Sequence, residues 1–309
     1  MKNYSIVSLF SGCGGLDLGF HGGFKFLNQE FEKLKFDTIY ANDIDKNACD
    51  TFQKNFQKDI ICSDINNLNI EVFPPSDILI GGFPCQDFSY SGKRLGLDSA
   101  RGNLYKSMCN VIQNTRPKLF LAENVKGILT IDSGNAIKKI INDFENLGYT
   151  ISYRLLKVSD FGVSQKRERV IIIGTNKDYL PKFNFDNIKK TKASFVYDAI
   201  KDLEDYEEGL VSNHKWSKAK MNKGQGNSII NKYDFAPTMR AEHHGNIEFH
   251  YNGKRRLSAR EAARIQGFPD DFIFYPSTSS AYKQIGNAVP PIFAWHIAKS
   301  IQEFLDISL

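Results

Sequence analysis

The chain has 309 residues, 41% of them hydrophobic, which is enough for one large α/β domain or a large domain beside a smaller one. Forty Lys and Arg against 35 Asp and Glu give a formal charge of +5, and the pI of 8.7 admits a polyanionic partner without the basicity of a dedicated nucleic-acid module. No apolar run approaches the ~18 residues of a membrane span, and the opening MKNYSIVSLF reads as a strand, not a signal peptide, so a soluble cytoplasmic protein is expected.

Up to Asn176, short β-branched runs alternate with helical patterns. In chain order, YSIVSLF, DTIYAND, KDIICSD, DILIGGF, KLFLAENV, ISYRLLKV and VIIIGTN are the predicted strands. Between them KNACDTFQKNF, NLYKSMCNVIQNT and NAIKKIINDFENLGY are the predicted helices. This alternation predicts an α/β, doubly wound sheet with ligands at the carboxyl ends of its strands. Beyond Asn176 the alternation stops and Lys, Asn, Tyr and Gly become more frequent, which marks a second, smaller domain. Pro290 and Pro291 then open a final helix, PPIFAWHIAKSIQEFL, whose apolar face is expected to return to the first domain.

The candidate functional residues stand where predicted strands stop. The first strand runs into Phe10-Ser11-Gly12-Cys13-Gly14-Gly15, a glycine turn through which a nucleotide-like ligand can approach the backbone; a ligand-free tight turn is the equal alternative. The second ends at Asn42-Asp43, whose acid can serve a ribose or cap the next helix, and the third ends similarly at Asp64. These ends favour an adenosine-containing cofactor without choosing between NAD and S-adenosylmethionine. The fourth ends in Gly81-Gly82-Phe83-Pro84-Cys85-Gln86-Asp87-Phe88-Ser89, where the surroundings of the thiol do not read as core. Glu123-Asn124-Val125 brings a carboxyl group to the same edge, with the capping of a turn as the alternative. Gln165-Lys166-Arg167-Glu168-Arg169 sets two arginines at alternate positions, on one face if extended; a solvated charge run is the alternative and, in isolation, the favoured one. The five cysteines (Cys13, Cys49, Cys62, Cys85, Cys109) show no metal-ligand spacing, so neither zinc nor a disulfide framework is expected.

Taken in order, FSGCGG, GGFPCQDFS, ENV, QKRERV, RRLSAREAARIQGFP and YKQIGNAVPP resemble the motif blocks of the bacterial cytosine-C5 DNA methyltransferases over nearly the whole chain. The resemblance implies a Rossmann-like S-adenosylmethionine-dependent domain of residues 1–198 and 287–309, and a small target-recognition domain of residues 199–286, with a DNA cleft between them. The variable region, roughly residues 177–254, corresponds to that family's base-reading part. Around S-adenosylmethionine the resemblance puts Phe10, Cys13, Gly15, Asp43, Ile44, Asp64, Ile65, Pro84, Asn287 and Val289. Asp43 stands where the family commonly has Glu, and Ile44 where it often has a larger residue.

In that reading Cys85 attacks C6 of cytosine to make C5 nucleophilic, and a protonated Glu123 in a partly desolvated pocket donates to N3. Arg167 and Arg169 hold the base O2 and a nearby phosphate, with Arg169 assigned to O2. The target base must leave the duplex stack, and residues 89–103 are proposed as the loop that closes over double-stranded DNA. Gln86, Ser89 and Arg240 are the candidates for DNA contact, the last within Thr238–Asn246, where sequence readout is expected. No metal is needed. A monomer is expected; the resemblance usually implies a restriction-modification role, with a restriction endonuclease acting on the same site, and a solitary methyltransferase is the alternative. An RNA methyltransferase, a catalytically silent DNA-binding protein and an NAD oxidoreductase are the competing readings. The first is disfavoured by Phe83-Pro84-Cys85, the second by the complete set of chemical groups, the third because it leaves Cys85 and Glu123 unexplained.

Overall fold

Seven strands make one mixed sheet in the computed structural model, which describes residues 3–84, 104–221, 226–241 and 247–309. β1 (Tyr4–Leu9) leads through a glycine turn into α1 (Gly15–His21), a hairpin of β2 (Phe24–Phe26) and β3 (Gln29–Phe31), then β4 (Phe36–Asp43) and α2 (Lys46–Phe56). β5 (Ile61–Cys62), β6 (Ile78–Gly81), α3 (Leu104–Thr115), β7 (Leu119–Val125) and α4 (Asn135–Asn146) follow. The sheet is finished by β8 (Tyr149–Lys157) and β10 (Glu168–Asn176), separated by the two-residue β9 (Gln165–Lys166). Its order is β5-β4-β1-β6-β7-β10-β8.

The strands from β5 to β7 are parallel, whereas β10 runs antiparallel to both neighbours. This departs from an all-parallel doubly wound sheet for a simple reason. No crossover helix lies between β8 and β10, so the chain folds back beside itself. The strand expected over KDIICSD contracts to two residues at the sheet edge, and the β2–β3 hairpin was not foreseen.

Strand alternation divides the apolar residues between two faces. Ile6, Ile78, Ile80, Leu119, Leu121, Ile171 and Ile173 point into a core shared with α1, the hairpin and α8 (Pro291–Ser308). Val7, Leu9, Leu79, Phe120, Val170 and Ile172 point into a core covered by α3 and α4. Both faces are therefore buried, which accounts for the near-continuous apolar runs in the sequence. The final helix returns to the first layer as expected, packing Ile292, Phe293, Ile297 and Ile301 there.

A third core gathers Val196, Ala199 and Ile200 of α5 (Val196–Ile200), Ala236 of β11 (Ala236–Pro237), α6 (Ala259–Ile265) and α7 (Thr278–Asn287). Cys13 of the glycine turn also belongs to it. Much of this part is loop, and buried arginines hold the loops by their carbonyls. Arg256, 1% exposed, donates to the carbonyls of Ala219, Lys220, Gly226 and Ile247. Arg260 reaches Ser212, Pro269 and Phe272 in the same way. Ser258 and Glu261 cap α6 reciprocally, and Arg255 forks onto both oxygens of Glu261. RRLSARE is thus a scaffold for the variable loops.

Candidate active site

The carboxyl ends of β1 and β4 are stitched together around the glycine turn. Ser11 N donates to Asn42 O at 3.0 Å, and Gly12 N donates to Asp43 Oδ2 at 2.7 Å. Asp43 Oδ1 accepts from Asp45 N, while the capping of α2 falls to Asp45, which accepts from Asn47 N and Ala48 N. Of the two roles the sequence left open for Asp43, the capping of α2 is thus taken by Asp45. Burial pushes the Asp43 carboxyl up, partly offset by those two amides. Ile44 beside it is 67% exposed, a large apolar surface at the rim of the turn.

The other expected cofactor residues converge on the same edge. Asn42 Nδ2 donates to Ser63 O at 2.9 Å, fixing the start of the Asp64–Ile65 turn. Asp64 Oδ1 accepts from Asn66 N, and the Ile65 side chain is buried in the second core, against which Phe10 also packs. A Cβ on Gly15 would stand 2.4 Å from Val289 O, so only glycine lets the turn meet the α7–α8 junction there. Asn287 closes α7 and is exposed, and Pro84 is exposed at the end of the described Gly81–Pro84 segment. Phe10 itself takes φ +53°, a conformation stored at the site end of β1.

Beneath this edge lies an acid that sequence reasoning missed. Asp17 of α1 is fully buried and accepts hydroxyl hydrogen bonds from Ser8 of β1 and Thr38 of β4, both at 3.0 Å. Ser11 Oγ continues the chain to Ser8 Oγ at 2.9 Å, linking Asp17 to the glycine turn. Burial pushes the Asp17 carboxyl up to about 6, against the opposing pull of the two hydroxyls and Lys58. His21, against Thr38 Oγ1 at 2.9 Å, is pushed down to about 4 by burial and by Lys58. An acid whose pKa rises on folding favours the folded state while protonated, and that contribution is lost as pH rises from the unfolded value of 3.8 through about 6. Asp17→Asn therefore gains on the wild type by about 2 kcal/mol between pH 4 and pH 7, measured by urea unfolding. Parallel pH profiles for the two proteins would remove Asp17 as the source.

On the other side of the strand ends, Glu123 Oε1 lies 2.7 Å from Arg169 Nε, both residues 9% exposed. Adjacent pairing of β7 with β10 sets this contact, because Arg169 is the ladder partner of Val125. Arg169 Nη1 donates to Glu168 O. Glu123 Oε2 faces Gly82, 3.0 Å from where a Cβ would be. Asn124 Nδ2 donates to Phe83 O at 2.9 Å, anchoring the backbone just before Pro84. The ENV triplet thus holds one acid beside that segment and pins its backbone.

The geometry does not meet the expectation that Arg167 holds the base or a phosphate. Arg167 is 2% exposed, and its donors go to Met239 O, Gly286 O and Ala288 O. Burial, with Arg169 alongside, pushes its guanidinium well below the usual range. Cys85, Gln86, Ser89, the 89–103 segment and residues 242–246 lie outside the described residues. Arg240 is exposed, its backbone against Gly286 of α7. Burial raises the thiols of Cys13 and Cys109 to about 12 and that of Cys49 further still, which leaves all three poorly suited to act as thiolates. Among the described residues no group of three or more His, Cys, Asp or Glu is placed to hold a metal ion, and no helix is long and apolar enough to cross a membrane.

A family model described as C-5 cytosine-specific DNA methylase matches residues 4–236 and 213–303. The chain is 37% identical over 336 residues to Type II methyltransferase M.FnuDI of Fusobacterium nucleatum, covering 97% of this chain and 94% of that one. It is 34% identical over 346 residues to Type II methyltransferase M.BsuRI of Bacillus subtilis, covering 96% and 79%. A prophage-encoded E. coli structure described as a DNA modification methyltransferase aligns with TM-score 0.75 and 26% identity over 98% of this chain and all of that one. The S. pombe Dnmt2 methyltransferase shares the fold at TM-score 0.70 and 16% identity, over 99% of each chain.

Proposed function

Because this chain belongs to the C-5 cytosine-specific DNA methylase family and is a DNA (cytosine-5-)-methyltransferase, we propose that it methylates a flipped-out cytosine in one short duplex sequence and so protects host DNA in a type II restriction-modification system. One observation carries the residue assignment. The buried Glu123–Arg169 pair sits against Gly82, at the entry to Phe83-Pro84-Cys85. A carboxyl group and a guanidinium held together at Gly82, three residues before Cys85 in the sequence, suit a base that gains negative charge when attacked.

Cys85 adds to C6, which turns the 5,6 double bond into an electron-rich centre at C5. Glu123 presents a proton to N3 from Oε2, the oxygen left over from the Arg169 contact. Arg169 keeps that carboxyl in place and serves the O2 side. S-adenosylmethionine, when bound, supplies an electrophilic methyl group for C5. Loss of the C5 proton and release of Cys85 then restore the ring.

The residues present fit an adenosine-bearing ligand. The glycine turn offers backbone that Asp43 holds open, Asp43 keeps unused lone pairs for ribose hydroxyls, and exposed Ile44 offers a face to adenine. Asp64 serves the adenine amino group, with Phe10, Cys13, Gly15, Ile65, Pro84, Asn287 and Val289 shaping the remainder. Residues 199–286 form the target-recognition part, and residues 1–198 with 287–309 the catalytic part. The enzyme acts as a monomer on cytoplasmic double-stranded DNA, beside an endonuclease that shares its site.

Bisulfite sequencing of DNA from a methylation-free host expressing this chain is expected to show 5-methylcytosine at one position of one short motif, absent with an empty vector. Unmodified DNA from cells containing folded protein that binds S-adenosylhomocysteine would overturn the proposal.

A further inference from the structure

Stretches far apart in sequence meet on the Arg167 side chain. Its Nη1 donates to Met239 O at 3.2 Å, and its Nη2 donates to Gly286 O at 3.0 Å and Ala288 O at 3.2 Å. Met239 lies in the segment proposed to read bases, and residues 286–289 form the α7–α8 junction proposed to flank the cofactor. Two glutamines repeat the link. Gln165 Oε1 accepts from Met239 N at 3.3 Å, and its Nε2 donates to Gln266 Oε1 at 2.6 Å. Gln266 Nε2 donates in turn to Ala288 O at 2.8 Å and Ile285 O at 3.0 Å.

The joint has little slack. A Cβ on Gly286 would stand 2.5 Å from Ala241 N and 2.6 Å from the Arg240 carbonyl carbon, so the reading segment rests directly on α7. Thr238 Oγ1 donates to Lys166 O, and β11 pairs with β9 just before it. On the cofactor side, Val289 O touches the Gly15 position. Movement of residues 238–241 therefore reaches the 286–289 turn, and through it the glycine turn. A guanidinium buried on carbonyls, with no acceptor for Nε among the described residues, is a costly way merely to fill space.

We propose that Arg167 is a positioning residue that couples target reading to cofactor binding, joining segment 238–241 and turn 286–289 into one unit. The inference rests on the function proposed above. By linkage, a cognate duplex tightens the hold on the cofactor by the factor with which the cofactor tightens the hold on that duplex.

The test is calorimetric titration of S-adenosylhomocysteine into the full chain, alone, with a duplex bearing the motif found by bisulfite sequencing, and with a scrambled duplex of equal length. Wild type is expected to bind at least about fivefold more tightly with the motif duplex than with the scrambled one. Arg167→Lys, which cannot span all three carbonyls, is expected to keep its affinity without DNA and lose that preference. Gly286→Ala opens the same joint from the other side, is expected to do likewise, and decides the matter if Arg167→Lys does not fold. An undiminished preference in a folded variant, a preference absent from wild type, or loss of affinity without DNA would overturn the coupling. Failure of wild type to bind S-adenosylhomocysteine under any condition would count against the proposed function instead.

Discussion

Cys85→Ser is expected to slow methyl transfer by about 10⁴-fold or more, the scale seen when a covalent nucleophile is removed. A serine hydroxyl ionises far less readily than a thiol and adds poorly to C6. The buried cysteines of the described residues are poor substitutes. Cys13 is buried in the third core, and burial raises the Cys13 and Cys109 thiols to about 12. Single-turnover transfer of a labelled methyl group to the motif duplex measures the loss, while a mobility shift with S-adenosylhomocysteine checks that the complex still forms. Activity within tenfold of wild type would assign the nucleophile elsewhere.

Glu123→Gln is expected to slow the same single turnover by about 10²–10⁴-fold, the usual contribution of a positioned acid. The substitution is close to isosteric. Its amide oxygen can still accept from Arg169 Nε, where the contact is 2.7 Å, and its amide nitrogen can face the Gly82 side. An amide donates a hydrogen bond to N3 but cannot release a proton to it. Affinity for the duplex should therefore stay within a few-fold while chemistry fails. A loss in duplex binding as large as the loss in rate would make Glu123 a binding residue.

Much of this arrangement was legible in the sequence because its signals are local. Lys46–Phe56 forms the predicted helix, and the strand ends at Asp43, Gly81 and Val125 lie where β-branched runs give way to glycine or polar residues. The question of whether Asp43 caps α2 was also local, and Asp45 answers it, while Asp43 itself holds a partner that no pattern encodes, the Gly12 amide 31 residues away. Arg167 shows the limit more sharply. Its spacing from Arg169 reads as a pair facing a ligand, yet its partners lie 72, 119 and 121 residues downstream. Arg256 and Arg260 were hidden for the same reason, since an arginine buried on carbonyls looks in sequence like one facing solvent. Asp17 sat within an apolar helix that gave no hint of hydroxyl partners on two strands.

The return of α8 to the first layer has a consequence for synthesis. Every strand of the seven-stranded sheet leaves the ribosome before α8 is made, yet Phe293, Ile297 and Ile301 are part of the core beneath Ile6 and Phe20. Until the last helix emerges, the nascent chain carries an uncovered apolar face while the third core assembles between its two halves. Packing of the first core is consequently completed only after α8 has been made, and the exposed face is the natural site for chaperone capture or aggregation when translation stalls late.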